Sequence, residues 1–67
     1  MKDWLIRLHE ERDQLSARLG RLNVFLADDD KLAPLTNEQV GLLLAQSHLM
    51  DGYLRILDRR IAMEDAI

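Results

Sequence analysis

The residues best suited to hold an anion are the ones this sequence places oddly. Arg12 interrupts a leucine series (Leu5, Leu8, Leu15, Leu19, Leu22, Leu26) that recurs on one side of a helix. Arg60 prolongs a second apolar series, one turn after Ile56 and beside Met63. A guanidinium at the margin of a covered surface needs a carboxylate, a carbonyl or a phosphate. Either arginine alone is served by an internal salt bridge, or by packing its stem while the head reaches water. The two together, in an assembly, would make an anion site, and arginine also stacks on planar rings. Lys31 follows three aspartates, where local charge balance is its simplest role.

Covalent or metal chemistry has little to work with. There is no glycine-rich phosphate loop and no nucleophile motif, and with no cysteine no thiolate site exists. His9, Glu10 and Glu11 are adjacent, so on a helix they point in different directions, unlike metal ligands at working spacing. His9 and His48 stand far apart. The expectation is a protein that is not an enzyme and carries neither metal nor cofactor.

Composition narrows the partners. The 67 residues make one domain, 1–67, too small to bury a large core and without a disulfide to help, so oligomerisation is the expected source of added stability. A chain 48% hydrophobic and 31% charged suits packed helices and argues against disorder. A net charge of −3 disfavours DNA or RNA polymers as partners. No apolar run spans a membrane and no signal-peptide pattern opens the chain, so a cytoplasmic location is expected.

The elements that position these groups follow from periodicity. A first helix is expected over about 2–27, with Trp4 and Phe25 flanking its leucine seam and Gly20 costing about 1 kcal/mol relative to alanine. Three aspartates are unfavourable at a helix C-terminus and are read as ending it. A loop follows over about 28–35, its short turn either helical or irregular, with Pro34 pushing the residue before it out of helical geometry. Thr36 and Gln39 form a capping box that opens a second helix, about 37–62, fraying beyond Ala62. Val40, Leu43, Ser47, Met50, Leu54, Leu57 and Ile61 make its first seam. Leu42, Leu49, Ile56 and Met63, helped by Ala45 and Tyr53, make a second that one hairpin partner does not cover. The fold class is therefore all-α: an antiparallel helical hairpin with a short connecting turn, assembled into a helical homo-oligomer through Leu42, Leu49, Tyr53, Ile56 and Met63.

Two segments, 11-ERDQLSARLGRLNVFLADD-29 and 39-QVGLLLAQSHLMDGYLRILDRRI-61, together resemble the small phage proteins that counter CBASS defence. The likeness rests on an ordered string in the second helix: Leu42, Leu43, Gln46, Met50, Tyr53, Leu57, Arg60 and Ile61. It implies a non-enzymatic sponge, a compact hexamer that sequesters cyclic dinucleotides such as cyclic GMP-AMP, and in some members cyclic trinucleotides. Carried over by position, Arg60 would face trinucleotide phosphates, Thr36 would assist with a loop hydroxyl, and Lys31 would close over a base. Arg12 stands where the family pattern has a base-stacking tyrosine; its guanidinium would stack in the ring's place and add charge. The other reading of the residues is a helical-hairpin adaptor whose second apolar face binds a protein and no nucleotide.

Overall fold

The computed structural model describes residues 2–65, and these form three helices: α1 (Asp3–Leu26), α2 (Asp29–Leu32) and α3 (Asn37–Asp65). α1 and α3 run antiparallel and pack along their lengths, giving a rod 48 Å long and 15 by 14 Å across. That cross-section has room for a single seam. Leu8, Leu15, Leu19 and Leu57 are its buried apolar residues, with Leu5, Met50, Leu54 and Ile61 half-buried against them. Both leucine-rich series therefore meet as their spacing requires.

Two polar pairs fix the register on one flank of the seam. Ser47, the hydroxyl placed within the α3 seam, is buried and donates to Asn23 Oδ1 at 2.7 Å. Arg12 Nε donates to Asp58 Oδ1 at 2.7 Å. Moving from Arg12 to Asn23 along α1 is matched by an equal step back from Asp58 to Ser47 along α3, as an antiparallel pair demands.

The connecting turn takes the helical of the two forms left open for it. Asp28 ends α1 but also caps a new helical turn, its carboxylate accepting from the backbone N–H groups of Asp30 and Lys31. Asp29 and Asp30 then occupy the first turn of α2, where the helix dipole favours negative charge. The aspartates thus start a helix as well as ending one. Ala33, before Pro34, keeps helical dihedrals (φ −53°, ψ −41°) instead of the extended geometry expected of it. Its N–H donates to the Asp29 carbonyl at 2.9 Å, and that bond outweighs the steric bias exerted by the proline. The Thr36–Gln39 capping box forms as read: Gln39 N–H donates to Thr36 Oγ1 at 3.1 Å, and Thr36 N–H donates to Gln39 Oε1 at 2.8 Å. α3 continues to Asp65, past the fraying point expected after Ala62.

Candidate ligand-binding surfaces

Adjacent residues on α1 reach α3 on opposite flanks of the seam. Arg12 turns to one side, where Asp58 takes Nε and Asp13 takes Nη1 at 3.1 Å. These two carboxylates, Asp58 foremost, hold the guanidinium pKa above the ordinary arginine value. The interruption of the leucine stripe is thus accommodated by an internal salt bridge at the half-exposed edge of the hairpin. The second N–H of Nη1, both N–H groups of Nη2 and the planar face of the guanidinium are what it has left for a ligand.

Glu11 turns to the other side and accepts a hydrogen bond from the Tyr53 hydroxyl. That bond, then burial and the Glu11 charge, raise the Tyr53 pKa above 10.0, while the charge of Arg60 acts in the opposite direction. Arg60 therefore stands close enough to the phenol to be felt. Since folding raises this pKa, the Tyr53–Glu11 contact supports the fold below about pH 10 and loses that contribution as the phenol ionises at higher pH. Tyr53 is the single tyrosine in the chain, so tyrosinate absorbance reports it alone. The titration midpoint should lie above that of a free tyrosine and move back toward it in Glu11→Gln. An unchanged midpoint in that variant would show that Glu11 does not hold the proton.

Arg60 is exposed and sits within an apolar face made by Tyr53, Ile56 and Met63, which are 45%, 59% and 65% exposed. Leu42 and Leu49, 65% and 76% exposed, continue the face toward the start of α3. At about 100° per residue this stripe lies roughly a third of a turn round the helix from the buried seam. All five residues expected at an interface are thus left uncovered by the hairpin.

Lys31 lies at the opposite end. It lines an open concavity with Arg21, Phe25, Val24, Ala17 and Gly20. Two cations and an aromatic ring here surround a glycine whose missing Cβ leaves open space. Arg21 and Phe25 were not singled out as ligand-binding residues by sequence reasoning. The available signal was the turn of α2, which folds Lys31 back against the outer face of α1. Thr36 is exposed in the same connecting region; its oxygen accepts in the cap while its hydroxyl proton remains to be donated.

One protomer does not gather the four candidate ligand residues. Arg12 and Arg60 lie toward the open end of the hairpin, Lys31 and Thr36 at the closed end. Thr36 and Arg60 are separated by about 36 Å along α3, at 1.5 Å per residue.

The family model for Sequestin matches residues 2–63. The chain belongs to the Sequestin family. That family's name denotes sequestration, which fits the resemblance to anti-CBASS sponges and points to holding a ligand, not to catalysis. No curated protein and no solved structure matches this Sequestin-family chain. No helix among the described residues is long and apolar enough to cross a membrane.

Proposed function

We propose that this chain is a phage immune-evasion protein that binds cyclic oligonucleotide second messengers and holds them uncleaved, blocking CBASS defence from the host cytoplasm. The ligands are cyclic dinucleotides such as cyclic GMP-AMP, and cyclic trinucleotides where a second pocket type exists. The observation that carries this reading is Arg60, an exposed guanidinium set among Tyr53, Ile56 and Met63. Such a surface meets both halves of a nucleotide, charge for phosphate and apolar or aromatic area for the base. Membership of a family named for sequestration supports the same reading. Lys31, with Arg21 and Phe25 beside it, and Thr36 offer the same chemistry at the other end. Arg12 contributes its stacking face and its remaining N–H groups. Because one chain separates these groups, the pockets form between copies, in a hexamer.

Native mass spectrometry with a mixture of cyclic di- and trinucleotides tests this. A hexamer gaining a whole-number set of intact ligand masses, weakened by added salt, is the expected result. An oligomer that gains no mass would favour the second reading, a helical-hairpin adaptor. The exposed stripe from Leu42 to Met63 is the feature that reading rests on.

A further inference from the structure

The flank that carries Glu11 and Tyr53 continues to the open end of the hairpin, where it presents a tryptophan. Trp4 lies seven residues before Glu11 on α1, and Arg60 lies seven after Tyr53 on α3. Seven residues make nearly two turns, so each returns to almost the same face about 10 Å further along. α1 and α3 run antiparallel and Glu11 meets Tyr53, so Trp4 and Arg60 stand level with each other across one flank.

The hairpin itself makes little use of this ring. Leu5 and Ile61 already close the core at this end, and Trp4 stays 41% exposed beside them. Lys2 Nζ stands over the indole, 5.6 Å from the ring centroid, within cation–π range. Arg7, one turn on from Trp4, lies on the same side of α1. The ion pairs among the described residues join Arg12 to Asp13 and Asp58, and Arg55 to Asp51; none includes Lys2, Arg7 or Arg60. Of the carboxylates nearby, Asp58 is held on the opposite flank by Arg12 and Glu11 receives the Tyr53 hydroxyl. Asp3 and Glu64 enter none of those ion pairs, so they leave the three cations available.

We propose that Trp4 is the surface on which a nucleobase stacks when Arg60 holds the adjoining phosphate, with Lys2 adding positive charge at the ring. This rests on the nucleotide-binding reading above and adds to it a residue from the other helix. Arg60 then has an aromatic plane on its α1 side and the apolar face of Tyr53, Ile56 and Met63 on its own helix. Packed helices lie about 8–10 Å apart, so side chains leaning out from one flank of both can grip the two ends of a single nucleotide. Every base has a π face, so stacking adds affinity without choosing among bases. Recognition at this end therefore depends on phosphate and ring together, and tolerates different bases.

Trp4 is the single tryptophan in the chain, so its emission reports this position alone. Fluorescence of the wild-type protein, excited beyond tyrosine and nucleobase absorption, should be quenched by cyclic GMP-AMP or by a cyclic triadenylate. The quenching should saturate in step with ligand mass gained in native mass spectrometry. Trp4→Leu, which keeps apolar area but removes the ring, should weaken binding of that ligand by roughly five- to a hundredfold. Trp4→Phe should recover most of the loss, because a smaller ring still stacks. Circular dichroism and the unliganded mass of each variant check that the hairpin and its assembly survive. If Trp4→Leu does not assemble, the wild-type quenching decides. Ligand bound without quenching, or bound by an intact Trp4→Leu protein with wild-type affinity, would overturn the assignment of Trp4 while nucleotide binding stands. A wild-type chain that gains no ligand mass would overturn both readings, so the two failures are told apart.

Discussion

Leu57→Ala should leave much of the protein unfolded under conditions where the parent chain is native. Leu57 is fully buried, packed with Leu8 and Leu15 and flanked by Leu54 and Ile61. Truncating such a leucine costs about 2–5 kcal/mol, because transfer energy is lost and the cavity closes only partly. A 67-residue domain has about 3–10 kcal/mol of stability in total. With four apolar residues buried among those described, no second layer shares the loss. Urea titration followed by circular dichroism should show the midpoint falling sharply, or the folded baseline disappearing. Leu49→Ala makes the contrasting measurement. Leu49 is 76% exposed on the hairpin, so its truncation should lower only the part of stability that rises with protein concentration. If Leu57→Ala unfolded no more easily than Leu49→Ala, the assignment of seam and stripe would be reversed.

The same contrast shows what the sequence made legible. Helical periodicity separates Leu57 from Leu49 before any coordinates, because each belongs to a different seven-residue row. The hairpin follows from two matching rows joined by a short segment. The partner of Arg12 was not legible in this way. Many carboxylates are available to it, and Asp58 is selected only once the register is fixed to within a residue. Ser47 was an open polar group in an apolar row, and its answer, Asn23, depends on that same register. The sequence leaves the turn after the three aspartates open between helical and irregular, because carboxylates that end the helix behind them also favour the start of one ahead; the Asp28 cap decides for the helix. Ligand residues fare worst, since Arg12, Lys31, Thr36 and Arg60 do not converge within one chain. A row of apolar residues signals that something covers it. The geometry of a pocket between copies is set by their relative placement, which periodicity alone does not encode.

Arg60→Glu should abolish cyclic oligonucleotide binding while leaving the hairpin intact. The side chain is exposed, so reversing its charge opens no cavity in the seam. A guanidinium–phosphate contact combines charge with a two-pronged hydrogen bond, each charge-assisted bond contributing about 1.5–3 kcal/mol. Replacing it with a carboxylate removes those bonds and sets like charge against the phosphate, a loss of roughly a hundredfold or more. Arg60→Lys should fall between, because an ammonium keeps the charge and loses the planar fork. The salt dependence separates these effects: both wild type and Arg60→Lys should weaken as salt rises, while residual binding by Arg60→Glu should respond less. Titration calorimetry, with native mass spectrometry of the unliganded variant as a check on assembly, gives the answer. Wild-type affinity in an intact Arg60→Glu oligomer would remove Arg60 from the site and leave phosphate recognition to Lys31, Arg21 and Thr36 at the other end of the hairpin.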